Sequence, residues 1–188
     1  LIILVIVFQQ EIRKFLLVIG SATFSRRQGI RNLLKIGATA PTDTLYVDVI
    51  CQAVTTLAAE KTGVLIVIER RDPLGSFAGT GHALGAKLSR IMLESIFFKN
   101  APLHDGATII AQNEIIAAGA VLPLSESTDL PSKFGLRHRA AAGISERTDA
   151  LALTASEENG DLHIFHDGAF EKVSIEDVKS RILGLMEA

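Results

Sequence analysis

Three short stretches of the chain hold side chains able to handle phosphate, ribose or a metal ion. The first is Pro102-Leu103-His104-Asp105-Gly106-Ala107, directly ahead of a run that reads as a buried strand. A carboxylate at a strand mouth, beside a glycine and a small residue, lets a sugar or phosphate approach the backbone and can offer oxygen to a divalent cation. The same three residues recur at Asp167-Gly168-Ala169, where a turn after a strand accounts for them. The tripeptide therefore leaves turn and site both open.

The second stretch is Gly135-Leu136-Arg137-His138-Arg139. In an extended backbone, residues two apart share a face, which sends Arg137 and Arg139 one way and His138 the other. Two convergent guanidinium forks suit a polyphosphate. The alternative is a solvated charged run at a helix start, and the small residues Ala140, Ala141, Ala142 and Gly143 argue for arginines lying over a tight backbone. The third stretch, Ser156-Glu157-Glu158, ends a strand ahead of Asn159-Gly160. It reads either as a solvated acidic turn or as a metal or ribose contact.

Other candidates are weaker. Gly79-Thr80-Gly81 with Gly85 misses the GxGxxG spacing, has no Walker lysine, and reads as an ordinary flexible loop. His163 and His166 face opposite ways if they lie three apart on a strand, which disfavours a shared metal. Cys51 is the single cysteine, so no internal disulfide or Cys-rich metal site is available, and it reads as a buried helix residue. No Ser-His-Asp order or nucleophile elbow is present.

These stretches need a frame, and the apolar pattern predicts one. Leu45, Val49, Ile50, Ala53, Val54, Leu57 and Ala58 recur at helical spacing over 43–61. The β-branched run at 64–69 suits a buried strand. A helix over 89–98 and two strands at 107–112 and 115–122 follow, then a Pro- and Ser-containing loop over 123–135. A short helix over 138–147, strands at 150–155 and 161–166 about a turn at 158–160, and a final helix behind Ser174 complete the reading. Helices interleaved with a strand-rich middle predict an α/β domain with a mixed central sheet over residues 42–188.

With 188 residues the chain can bury about 70% of its unfolded surface, enough for one sizeable core. Nineteen Lys and Arg against 21 Asp and Glu leave a net charge of -2, which argues against duplex nucleic acid as a partner. Residues 1–8 are uncharged and apolar but too few to cross a bilayer. Because the sequence opens on Leu1 and Arg13, Lys14, Arg26, Arg27, Arg31 and Lys35 follow, the expected reading of 1–41 is the end of a transmembrane helix plus a cytoplasmic linker. A buried N-terminal strand is the alternative.

Taken in order, LHDGA at 103–107, LPLSES at 122–127, GLRHRAAAGISERTD at 135–149 and SEENG at 156–160 resemble the diadenylate cyclase family, over about residues 60–170. VIVFQQEIRK at 5–14 resembles the membrane-anchored, single-domain class, in which three transmembrane helices precede a cytosolic cyclase domain. The resemblance implies a mixed sheet flanked by helices. It implies condensation of two ATP molecules into cyclic di-AMP and two pyrophosphates, with Mg²⁺ or Mn²⁺, by two copies of the domain set face to face at the cytoplasmic side of the cell membrane.

Carried over by position, Asp105 lies near the attacking ribose 3′-hydroxyl and the metal, which His104 and Glu158 also contact. Arg137, His138 and Arg139 hold the phosphates and act in catalysis. Leu103, Ser156 and Glu157 are further ATP contacts, and Gly106, Ala107 and Leu122 border the adenosine. Leu136, also an ATP contact, stands where many members carry a hydroxyl, and Val121 replaces an aromatic found in some relatives. A catalytically silent sensor of ATP or cyclic di-AMP is the reading of a different class. A generic metal-dependent phosphohydrolase lacks a second cluster of carboxylates and histidines.

Overall fold

The computed structural model describes residues 42–187, and the expected anchor and linker over 1–41 lie outside them. Helix α1 (Thr42–Ala59) leads into β1 (Val64–Ile68), and a one-turn helix α2 (Gly75–Ala78) precedes β2 (His82–Lys87). Helix α3 (Arg90–Ile96) is followed by the hairpin of β3 (Ala107–Ala111) and β4 (Glu114–Ala120). Helix α4 (Leu136–Ser145) precedes the meander of β5 (Leu151–Ala155), β6 (Leu162–His166) and β7 (Ala169–Val173), and α5 (Val178–Glu187) ends the described chain.

The strands form one seven-stranded sheet in the order β2-β4-β3-β1-β5-β6-β7. Only β1 and β3 pair in parallel, so the sheet is mixed, as the sequence pattern predicts. The central strand β1 is buried along its whole length because helices cover both faces. Strand alternation divides it: Val64, Ile66 and Ile68 meet the apolar face of α1 with residues of α3 and α5, while Leu65 and Val67 meet α4. The result is a three-layer domain. Among the described residues no helix is long and apolar enough to cross a membrane.

Two strands differ from the sequence expectation. Residues 79–85, read as a flexible loop, contain the start of β2, and Thr80 fixes that segment by accepting from the Val121 N–H at 2.9 Å. Strand β7 follows Asp167-Gly168 directly. Both turn residues have positive φ, at 48° and 73°, between the paired residues His166 and Ala169, which is a two-residue hairpin turn. The second Asp-Gly-Ala is thus accounted for by hairpin geometry.

Candidate active site

Asp105 lies in the turn between α3 and β3. Gly106 behind it has φ +106°, and a Cβ there would stand 2.7 Å from the Gly119 carbonyl carbon and 2.8 Å from the Ala120 oxygen. The first Asp-Gly-Ala therefore needs its glycine for a close passage beside β4, unlike the second, which needs it for a turn. That passage leaves Asp105 exposed at the end of the sheet where β1 and β3 begin. Its carboxylate makes no hydrogen bond or ion pair with any described residue.

Two cavities meet at this carboxylate. One, of about 270 Å³, is mainly apolar, with Leu65, Val121, Leu122 and Leu124 in its wall. The other, of about 210 Å³, is polar and takes in Lys133, His138, Ser156, Glu157 and Glu158. Asp105, Leu136 and Arg137 line both and mark their junction. Of the adenosine candidates, Gly106 and Leu122 lie on the apolar cavity, whereas Ala107 lines neither, and nor does the expected ATP contact Leu103.

The Arg-His-Arg stretch differs from the extended reading, because α4 starts at Leu136. At 3.6 residues per turn, Arg137 and Arg139 are turned about 200° apart, so they do not share a face. Arg137 reaches the cavities, with its Nη1 donating to Glu157 Oε2 at 3.0 Å. Arg139 turns to the 122–127 segment: its Nη1 donates to the Ser125 carbonyl at 3.4 Å, and its own carbonyl accepts from the Ser125 N–H at 2.9 Å. At Gly143 the same segment passes so close that a Cβ would collide with the Pro123 carbonyl oxygen. LPLSES and the Arg-His-Arg helix are therefore packing partners, and Arg139 lines neither cavity.

His138 is 7% exposed and stacks on Phe134 with ring centroids 4.4 Å apart. Its Nε2 is buried without a partner among the described residues. Burial, then the neighbouring His163, Lys133 and Arg137, lower its pKa from 6.5 to about 4. It is neutral near pH 7 and adds no positive charge to the site. In the unfolded chain the same imidazole protonates near pH 6.5, so between pH 6.5 and about 4 the unfolded state binds more protons. Stability from this group is full above the upper value and is lost as pH falls through that window, by ~3 kcal/mol. Chemical denaturation at about pH 7 and about pH 4.5 should show His138→Phe losing less stability than the parent between the two. Equal losses would place the proton elsewhere.

A residue the sequence reading did not single out sits beneath the Arg137 pair. A Cβ on Gly63 would lie 2.8 Å from Arg137 Nη1, 2.9 Å from its Cζ and 3.0 Å from Glu157 Oε2. These are side-chain ends, so Gly63→Ala should move the guanidinium and leave the fold intact. For ATP, the ligand that the resemblance implies, affinity should fall about threefold to tenfold, the scale of one weakened charge-assisted contact, with an unchanged melting temperature. Calorimetry beside a thermal melt checks both. The only sequence signal was a glycine immediately ahead of a buried strand.

The candidate metal ligands do not all converge. Asp105 and Glu158 line the polar cavity, whereas His104 lines the neighbouring one with Lys99 and Thr62. His104 Nδ1 is 2.7 Å from the Ala101 carbonyl, an acceptor, which fixes the proton on Nδ1 and leaves Nε2 free to accept. No three His, Cys, Asp or Glu side chains among the described residues form a metal cage. Two carboxylates still suit a hard cation of the Mg²⁺ type, whose shell is commonly completed by substrate phosphates. Cys51 is remote from this chemistry: half-buried on α1, with its thiol pushed up to about 11 by burial and then Asp48, it stays protonated.

Comparison with known proteins identifies the family and the fold. Residues 51–170 match the DAC family, described as DisA bacterial checkpoint controller nucleotide-binding. The cyclic di-AMP synthase CdaA of Bacillus subtilis is 37% identical over 96% of this chain and 63% of that protein. The diadenylate cyclase CdaS of Bacillus thuringiensis is 44% identical over 67% of this chain and 63% of its own length. The chain thus spans less than two thirds of the curated relatives it first matches. Among solved structures, a double mutant of DacA from Staphylococcus aureus superposes with a TM-score of 0.76 at 35% identity, covering 79% of this chain and all of that one. The motifs, the mixed sheet and these matches together show that the chain belongs to the DAC, or diadenylate cyclase, domain family.

Proposed function

We propose that this chain condenses two ATP molecules into cyclic di-AMP with release of two pyrophosphates. The observation that carries the reading is the junction of an apolar and a polar cavity at Asp105, Leu136 and Arg137. A nucleotide laid across it puts adenine against Leu122 and Val121, ribose beside Asp105, and the phosphates toward Arg137, Ser156 and the start of α4. The first N–H groups of that helix have no intrahelical acceptor, and its dipole favours an anion there.

In the reaction, the 3′-oxygen of one ATP attacks the α-phosphorus of the other. The new O3′–P bond forms, the bond from the α-phosphorus to the bridging oxygen breaks, and pyrophosphate leaves with that electron pair. Asp105 accepts the hydrogen bond from the 3′-hydroxyl, orients it, and takes its proton on the way to solvent. Arg137 offsets the charge that builds on the phosphates, and in the free protein Glu157 holds its guanidinium in place. Asp105 and Glu158 would hold Mg²⁺ or Mn²⁺, which when bound supplies charge neutralisation and acidifies the nucleophile. His138 acts as a neutral wall of the cavity, and Arg139 positions the 122–127 segment.

The described residues form one such cavity junction, so the second nucleotide comes from a second copy placed face to face. Val121 on the apolar cavity and Leu136 at the junction are 69% and 72% exposed, which supports a partner closing over this side. The resemblance of 5–14 to a membrane-helix end, with a structural relative described as a hypothetical membrane-spanning protein from Bacillus cereus at 43% identity, supports membrane anchoring with the catalytic domain on the cytoplasmic side. Incubation with ATP and Mg²⁺ or Mn²⁺, followed by mass identification of the product, tests the activity. Cyclic di-AMP is expected. Tight ATP binding with no product would instead fit the silent sensor, and ADP plus phosphate would fit a hydrolase.

A further inference from the structure

We propose that Lys133 is a phosphate-recognising residue that makes this site selective for the triphosphate end of its nucleotide. The inference rests on the nucleotide orientation proposed above. It starts from how the two cavities divide their walls. Asp105, Leu136 and Arg137 belong to both, so they border the ribose and α-phosphate, whereas Lys133 lines the polar cavity and not the apolar one. It therefore stands on the side away from the base, with Ser156 and Glu158, where the β- and γ-phosphates extend.

The backbone holds Lys133 on the wall of the cavity. The next residue, Phe134, is 5% exposed and anchors the loop by stacking on His138. Phe134 also meets His163 and Phe170 edge-on, at 4.9 and 5.1 Å between ring centroids. Its N–H donates to the Pro131 carbonyl at 2.9 Å, closing a turn directly around Lys133. The loop is thus fixed on both sides of a lysine that itself pairs with no described carboxylate.

The site has need of such a charge. Arg139 is turned to Ser125, His138 is neutral, and Leu136 brings only an alkyl chain to the junction. Arg137 is shared with Glu157. Against a triphosphate and the carboxylates of Asp105, Glu157 and Glu158, Lys133 is the lining cation that forms no ion pair with a described residue. A lysine serves phosphate as a mobile point charge, which suits a terminal phosphate more than a fixed bidentate one.

The test is calorimetry of ATP, ADP and AMP on the parent protein, Lys133→Gln and Lys133→Arg, at one fixed Mg²⁺ concentration. For Lys133→Gln we expect ATP affinity to fall about tenfold, ADP less and AMP less than twofold, with Lys133→Arg recovering most of the ATP loss. In turnover assays KM for ATP should rise by a similar factor while kcat changes little. Unchanged ATP affinity, or an equal loss for AMP, would overturn the assignment, the latter by making Lys133 a support for the Phe134 loop. The two readings fail separately. A parent protein that forms no cyclic di-AMP, with Lys133→Gln still losing ATP selectively, would overturn the cyclase and leave the phosphate contact standing.

Discussion

Asp105→Asn should abolish cyclic di-AMP formation, by about a thousandfold or more, while ATP affinity and melting temperature stay close to those of the parent. The substitution preserves volume and removes the charge that accepts the 3′-hydroxyl proton, and losses of this size are usual for a catalytic acid or base. Stability should hold because the carboxylate is exposed and pairs with no described residue. Asp167 supplies an internal comparison. It sits at φ 48° in a hairpin turn, a conformation asparagine adopts at least as readily, so Asp167→Asn should leave turnover unchanged. Equal losses from both would remove the distinction between site and turn, and a core-sized drop in melting temperature for Asp105→Asn would make that residue structural.

Arg137→Ala should weaken ATP by about thirtyfold to a hundredfold and AMP far less, since two effects add. A charge-assisted phosphate contact is lost, and Glu157 is released as an unpaired carboxylate facing the phosphates. Removing that carboxylate as well, in Arg137→Ala with Glu157→Ala, should return part of the ATP affinity. Stability should change by no more than about 1 kcal/mol, because the Glu157 side chain is 64% exposed and such pairs contribute little. Calorimetry with ATP and AMP on the single and double variants decides this. A double variant no better than the single would mean that Glu157 does not face the phosphates.

The parts of the fold legible in the sequence are those where burial dictates residue type. VLIVI of β1 is buried on both faces and carries an unbroken β-branched and aliphatic run, and α1 shows its helical period because one face fills the core. Strands β2 and β7 were not legible because they are the two edges of the sheet. Their residues are largely exposed, HALGAK has little β propensity, and each strand is held by backbone pairing to one neighbour. A run without an apolar face leaves no periodic trace.

Within the site, residue types were legible and directions were not. The stretch Leu-Arg-His-Arg gives no N-cap signal, since Gly135 caps α4 without a side-chain hydrogen bond, so an extended reading of the two arginines had nothing against it. Two residues of offset in the helix start decide whether Arg139 meets a phosphate or Ser125. His104 and Asp105 are adjacent in sequence, yet the turn that holds them sends them to different cavities. Gly63 and Lys133 were missed for the same reason: their roles come from what the fold lays against them.

In the proposed reaction each ATP acts as both nucleophile and electrophile across two copies of the chain, a reciprocity that 3′-deoxy-ATP probes. Alone, the analogue lacks the attacking hydroxyl and should release no pyrophosphate. Mixed with ATP it can still be attacked once, giving a linear dinucleotide that cannot close, with a yield that falls as the protein is diluted and the facing pair separates. Mass spectrometry of the two reactions should show this capped dinucleotide only in the mixture. Phosphate or pyrophosphate released from the analogue alone, at a rate near that for ATP, would mean that water is the nucleophile and that the protein is no cyclase.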